Sequence, residues 1–449
     1  MDKDLSKSTN IIERDGKAIS PCSRSPYYPF AAASGKGAVL YDADGNSYID
    51  FSAAAASLNT GTCHPRIVRA IKEQAEKLLC YTIGYMYEES AVELAEKLVS
   101  LTPGDFPKKV AYGLSGSDTI DGAIKFARKY TGRSEIITYK TAYHGCTYGA
   151  LSASAICLNM RRGIGPMLPG FHHFSYPQCK NCPWKENPQN CRLSCLEEIK
   201  EAFALYLPAE EVAAVIFEPI GGDIGMIIPP VRYVQALAKL CCENSILLIS
   251  DEVQQGMGRT GKWFCIENYG VIPDIITAAK SLASGMPLSA IIMRAEIANS
   301  VKDPGHCFTL AANAVCCRAA LETIAVIEDE QLIERSKIIG ELIMNRLAEM
   351  KKSIKILGAT RGLGLSIGQE VIKSDGTPDR NACAKICWRC WEKGLIITFL
   401  GENVLRIQPP LVIGESETEQ GLQILQEAIL DYQNNKISDD ILSFARGWA

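Results

Sequence analysis

An amine and a carboxylate delivered by neighbouring apolar runs give the first chemical clue. The run Ile246-Leu247-Leu248-Ile249 leads into Asp251, and Ile275-Ile276 leads to Lys280. Residues 245–250 and 274–277 read as strands from their length and β-branched content. As neighbours in one sheet they would bring both groups to the same edge. That juxtaposition suits pyridoxal phosphate (PLP), whose aldehyde needs a lysine for a Schiff base and whose ring nitrogen needs an acidic partner. A surface lysine and a helix-capping aspartate would leave the same mark, so the rest of the chain has to decide.

Three further stretches carry chemistry. Gly113-Leu114-Ser115-Gly116-Ser117-Asp118 lies between a strand pattern (108–112) and a helical one with Ile120, Ala123, Ile124 and Ala127 on one face. Small residues at a helix start leave N–H groups and hydroxyls free for a phosphate, making Ser115, Gly116 and Ser117 the phosphate candidates; a plain N-cap is the alternative. Neither a Walker loop nor a dinucleotide fingerprint is present here. The strand pattern 135–139 is followed by Tyr143-His144-Gly145, an aromatic ring able to stack on a planar cofactor beside a glycine that permits close approach. The pattern 212–217 delivers Glu218, then Gly221-Gly222-Asp223, which suits the rim of a ligand crevice.

A fourth cluster stands apart. Cys179, Cys182, Cys191 and Cys195 fall within a Pro-containing insertion at 177–197. Four thiolates so spaced could close a structural zinc site or hold an iron–sulfur cluster; free thiols or a redox-sensitive pair are the alternative. The 18 cysteines are otherwise scattered through apparent core elements, and most read as small buried thiols.

The elements that must position these groups are those of an α/β protein. A chain of 449 residues with 47% hydrophobic residues can bury a large core. Short β runs alternate with helices from about residue 108, with a last strand at 288–293, as in a mostly parallel central sheet covered by helices. Helical spacing is also present at 66–79, 89–100, 314–328 and 331–352, and short strands at 363–371, 394–399 and 403–407 make the tail a smaller α+β domain. Upstream, residues 1 to about 35 read as an irregular arm, followed by a hairpin of Val39–Tyr41 and Tyr48–Phe51 whose turn uses positive φ at Gly45 and Asn46. The domain expectation is therefore an arm and hairpin (1–60) joining the small domain, a large domain (61–313) and a C-terminal small domain (314–449). A net charge of −4 gives no general pull towards nucleic acid or anionic membranes. No apolar stretch approaches the ~20 residues of a membrane span, and the polar N-terminus has no signal-like segment, so the expected location is the cytoplasm.

Taken together these blocks resemble a known family. Ser115-Gly116-Ser117-Asp118, Tyr143-His144-Gly145, Glu218-Pro219-Ile220, Asp251-Glu252-Val253-Gln254 with Gly256, Gly258, Arg259 and Gly261, Pro273-Asp274 with Lys280, Thr309, and Arg406 with Pro409-Pro410-Leu411 are similar to the class III, fold type I PLP-dependent aminotransferases over residues 35–430. The resemblance implies Lys280 as the Schiff-base lysine, Asp251 on the pyridine nitrogen, Gln254 at the ring hydroxyl and Tyr143 stacked on the ring, with His144 and Glu218 also at the cofactor. It implies Thr309 at the phosphate of the neighbouring subunit, hence a homodimer with shared sites or a homotetramer built from it. Arg406 would take the substrate α-carboxylate. Two departures stand out: Asp118-Thr119 replaces the usual Glu-Ala, and Ala312-Asn313-Ala314 replaces Gly-Asn-Pro.

Within the family, residues 113–132, 158–168 and 280–290 resemble most the isoleucine 2-epimerase and amino-acid racemase branch, which carries an aspartate where Asp223 stands. That implies racemisation or epimerisation at Cα, with Lys280 on one face and Asp223, directly or through water, supporting proton transfer on the other; a contact of Asp223 with the substrate ammonium or a loop amide is the alternative. The resemblance points to nonpolar, branched-chain amino acids, and the apolar Ala53–Leu58 stretch suggests room for such a side chain. Transamination of 4-aminobutyrate or another ω-amino acid with 2-oxoglutarate or pyruvate is the alternative. A non-catalytic PLP-fold binding module would be marked by loss of Lys280, which is present.

Overall fold

The computed structural model describes residues 3–180 and 182–448. The chain folds as two compact units, one of Met1–Pro65, Arg259–Gly261 and Glu330–Ala449, the other of Arg66–Gly258 and Lys262–Asp329.

The first unit begins with a helix, Ser6–Ala18, where the sequence reading has an irregular arm. Its N-terminus is capped from a distance: Asp44 accepts from the amides of Lys7 (2.7 Å) and Ser8 (2.8 Å), a signal absent from the local sequence. Strands β1 (Ala32–Lys36), β2 (Val39–Asp42) and β3 (Ser47–Asp50) form an antiparallel meander that contains the expected hairpin. In its turn Gly45 alone takes a positive φ, because Asp42 Oδ1 accepts from the amides of Asp44 and Asn46 and shapes the reversal.

In the second unit a seven-stranded sheet is built from β4 (Lys108–Gly113), β5 (Glu135–Tyr139), β6 (Phe171–Phe174), β7 (Val212–Phe217), β8 (Leu247–Asp251), β9 (Ile275–Ala278) and β10 (Ser289–Arg294). Their order is β4-β10-β9-β8-β7-β5-β6, parallel from β9 to β6, with β10 antiparallel to both neighbours. This is the mostly parallel α/β sheet expected. β7, β8 and β9 are buried along their whole length, which explains why they read as continuous apolar runs. The helix Gly116–Thr131 packs Ile120, Ala123, Ile124 and Ala127 into one core cluster with Ala214, Ile216, Ile249 and Ile275. The strand β6, with its Phe-His-His-Phe sequence, escapes the sequence reading; it pairs only at the sheet edge.

The tail, within the first unit, adds β11 (Leu357–Leu363), β12 (Ser366–Val371), β13 (Leu395–Ile396), β14 (Thr398–Leu400) and β15 (Val404–Ile407). Segment 363–371, read as one strand, contains the turn of a β11–β12 hairpin at Gly364 (φ +52°). Segment 394–399 serves two sheets: β13 pairs with β3, and β14 pairs with β15.

Ala53–Ala56 is a left-handed turn, with φ of +45°, +49°, +58° and +63° in succession. L-residues pay ~1–2 kcal/mol each for this conformation. The turn is held by Asp50 Oδ1, which accepts from the amides of Ser52 (2.7 Å) and Ala53 (2.9 Å). Among the described residues no helix is long and apolar enough to cross a membrane.

Candidate active site

The pairing of β8 with β9 sets Asp251 opposite Thr277, and Lys280 follows two residues after β9. The two groups line one cavity together with Gly116, Ser117, Tyr143, His144, Gly145, Glu218, Val253, Gln254 and Gln255. Eight of the predicted site residues are thereby gathered from four strand ends and a helix start.

Asp251 is 6% exposed and thoroughly anchored. Its Oδ2 lies 2.6 Å from His144 Nδ1, and Oδ1 accepts from the Val253 amide (3.1 Å) and the Thr277 hydroxyl (3.2 Å). His144 Nε2 in turn faces the Thr138 hydroxyl at 3.3 Å. Lys280 has φ +41°, an unfavourable setting for a lysine and one typical of functional positions.

At the helix start Ser115 is the N-cap, and Asp118 closes a capping box by accepting from the Leu114 and Ser115 amides (2.8 and 3.0 Å) and the Ser289 hydroxyl (2.8 Å). That role accounts for an aspartate at this position. Ser115 is thus occupied by its own cap and does not line the cavity, whereas Gly116 and Ser117 do. The Cys146 amide donates to Ser117 Oγ (3.0 Å), and a Cβ on Gly145 would fall 2.2 Å from that oxygen, so glycine is needed there.

Glu218 contributes a buried carboxyl whose Oε2 is 3.4 Å from the Tyr143 amide. Burial, with the nearby Asp251 and Asp223 carboxylates adding to it and the Tyr143 amide and Lys280 opposing it, pushes Glu218 well above the usual carboxylate range, towards its acid form. The Tyr143 phenol is likewise pushed up, mainly by burial and then by its contact with Cys146. Asp223 stands behind this wall: Gln254 Nε2 donates to its Oδ1 (3.1 Å), and Gln255 donates to Gln254 Oε1 (3.0 Å). A Cβ at Gly222 would meet Gln254 Oε1 at 2.2 Å.

Two predicted residues lie elsewhere. Thr309 is on an exposed turn before the helix Ala314–Asp329, whose first amides, at Val315 and Cys316, donate to Asn313 Oδ1. Ala312 takes φ +51° there, in place of the family's glycine. Arg406 belongs to β15 in the first unit, where its Nε donates to Thr398 Oγ1 (3.0 Å).

Sequence reasoning missed Val253 and Gln255 as cavity walls and Thr138 and Thr277 as supports of the His144–Asp251 pair. The lone threonine in the apolar Ile275-Ile276-Thr277-Ala278 strand was the available signal. Of the two readings of the cysteine cluster, the metal one finds no support: among the described residues no group of three or more His, Cys, Asp or Glu is placed to hold a metal ion. Cys179, Cys182, Cys191 and Cys195 are free thiols around a separate cavity.

A sequence profile described as Aminotransferase class-III matches residues 22–429. The chain belongs to the class III aminotransferase family. Among its relatives, the leucine/methionine racemase of Thermococcus litoralis is 44% identical over 98% of this chain and 100% of the relative. The isoleucine 2-epimerase of Lentilactobacillus buchneri is 42% identical over 97% of each chain. The crystal structure of a Bacillus anthracis aminotransferase superposes with a TM-score of 0.87 at 31% identity, covering 95% of this chain and 99% of the other. The class III assignment therefore spans both units.

Proposed function

We propose that this protein is a PLP-dependent racemase or epimerase acting at Cα of nonpolar, branched-chain amino acids. The observation that carries the reading is the sharing of one cavity by the Lys280 amine and the Glu218 carboxyl, the latter biased by burial towards its acid form, two groups suited to moving protons to and from one carbon. The substrate class is supported by the relatives named for leucine, methionine and isoleucine.

The cavity fits PLP by its own chemistry. Gly116 and Ser117 offer a helix N-terminus for the phosphate, in a cradle that only glycine at position 145 leaves open. Tyr143 offers a ring face, Asp251 an anchored carboxylate for the ring nitrogen, Gln254 an amide at the wall and Lys280 an amine for the aldehyde. When bound, PLP supplies an electron sink for the pair left on Cα when its proton departs. Lys280 takes and returns that proton. The Glu218–Asp223 pair holds the second one, Glu218 as the acid and Asp223 as the neighbour whose carboxylate is oriented by Gln254. Arg406 is the proposed partner of the substrate carboxylate.

A homodimer is part of the proposal, with Thr309 serving the partner's phosphate site. It is supported by exposed apolar side chains at Leu79 (66%), Tyr85 (82%) and Tyr87 (fully exposed), more than a solvated surface ordinarily carries in one short segment. Light scattering of the purified protein tests it, and a monomer at micromolar concentration would count against it.

Incubation of L-isoleucine or L-leucine with enzyme and PLP in heavy water tests the activity. Deuterium at Cα together with the inverted centre, without added keto acid, is the expected result; neither product would end the racemase reading. A second reading, transamination, is favoured by the family itself. Glutamate formed only with 2-oxoglutarate would establish it instead.

A further inference from the structure

The cysteine insertion holds chemistry that the proposed reaction does not use. Cys179, Cys182, Cys191 and Cys195, all half-buried and free, line one cavity beneath the start of the helix Val231–Glu243. Arg232 in this helix reaches into the insertion: Nη1 donates to the Cys191 carbonyl (3.2 Å), and Nη2 donates to the Pro188 carbonyl (2.5 Å) and to Cys191 Sγ (2.6 Å). A guanidinium is thus fixed against one sulfur of four, the surrounding that reactive thiols share. Of the neighbouring side chains, Cys191 couples most strongly to both Cys179 and Cys195.

We propose that Cys191 and Cys179 form an oxidisable dithiol, a modification site separate from the candidate active site. A two-electron oxidant of the peroxide class is its co-reactant. The Cys191 sulfur attacks the peroxide, breaking the O–O bond, taking one oxygen as sulfenic acid and releasing one water. The Cys179 sulfur then attacks Cys191, forming the S–S bond and releasing the second water. The two thiols lose two electrons and two protons, and the peroxide becomes two waters. Cys179 is the fitting partner because it lines the same cavity as Cys191 and has both Cys191 and Arg232 as electrostatic neighbours, whereas burial pushes the Cys195 thiol up to about 12. The cavity is also lined by Tyr233, whose hydroxyl is 2.9 Å from that of Tyr139.

The test treats the PLP-loaded protein with equimolar hydrogen peroxide, blocks remaining thiols and maps cross-linked peptides by mass spectrometry. A Cys179–Cys191 disulfide reversible by dithiothreitol is expected, formed at least roughly tenfold faster than oxidation of the exposed Cys22, Cys63 or Cys242. In Cys179→Ser, dimedone should trap a sulfenic acid on Cys191; Arg232→Lys, which keeps a charge and a donor, should slow both steps less than Arg232→Gln. Oxidation no faster at Cys191 than at the exposed thiols, a cross-link between other cysteines, or stoichiometric zinc that shields all four from alkylation would each overturn the proposal.

Discussion

Asp251 Oδ2 and His144 Nδ1 are 2.6 Å apart, both side chains almost wholly buried, one at the end of β8 and the other in the turn after β5. The histidine orients the carboxylate proposed for the cofactor ring nitrogen, and Thr138 and Thr277 hold the pair from either end.

Removing this support leaves a buried carboxylate short of a partner, and hydrogen bonds to charged groups are worth ~1.5–3 kcal/mol. His144→Ala is therefore expected to weaken PLP binding and lower kcat by roughly 10- to 100-fold, with His144→Asn recovering part of the loss. PLP titration followed by fluorescence, beside steady-state kinetics, measures both. Unchanged PLP affinity would show that the pair supports only the fold.

Glu218 and Asp223 separate through isotope exchange. Glu218→Gln keeps the shape of the side chain but has no acidic proton to give, and positioned acids contribute about 10²–10⁴-fold. The variant is expected to lose inversion by that factor while Lys280 still exchanges the Cα hydrogen of the L-amino acid with retention. Asp223→Asn carries the larger loss if the second proton belongs to Asp223. Chiral chromatography with mass detection reads both events.

The left-handed turn at Ala53–Ala56 is a reservoir of strain that glycine relieves. Ala54 is exposed and Ala55 half-buried, so Ala54→Gly and Ala55→Gly remove little packing. Against ~1–2 kcal/mol of relieved strain stands about 0.4–1 kcal/mol of added chain entropy in the unfolded state. Each substitution should raise Tm by a few degrees at most, and Ala54→Val should lower it. Differential scanning fluorimetry of the apoprotein decides, a lower Tm for both glycine variants being the contrary result.

Asp50 makes stability depend on pH. Burial, opposed by the Ser52 and Ala53 amides and by Arg259, raises its carboxyl to about 6. The folded state therefore binds the proton more tightly than the unfolded chain, whose carboxyl titrates near ~3.9. This contribution is fully present below the unfolded value and is lost as pH rises through about 6; its full size is roughly 3 kcal/mol. Asp50→Asn, able to accept the same two amide bonds through its carbonyl, should flatten the decline in stability between about pH 4 and about pH 7. Urea denaturation of the apoprotein across that range checks the slope, and an unaltered slope would assign it to other groups.

The sequence by itself determined the layered α/β plan and the chemistry of the cavity wall. Strands buried on both faces must be continuous apolar runs, so β7, β8 and β9 were visible, and residues at strand ends with Asp251, Lys280, Glu218 and Tyr143 named their own possibilities. What it could not determine rests on contacts between distant positions. The helix Ser6–Ala18 depends on a cap from Asp44, and segment 394–399 divides between two sheets because its halves meet different partners. Only the tertiary structure turned Ser115 and Asp118 into a closed cap, placed Asp223 behind Gln254 and buried Glu218 at the cavity wall, where its pKa is raised. Packing likewise decided that four cysteines spaced like metal ligands would surround a cavity with Arg232 on one sulfur. Sequence spacing limits which groups can meet; burial and partner geometry decide which do and in what protonation state.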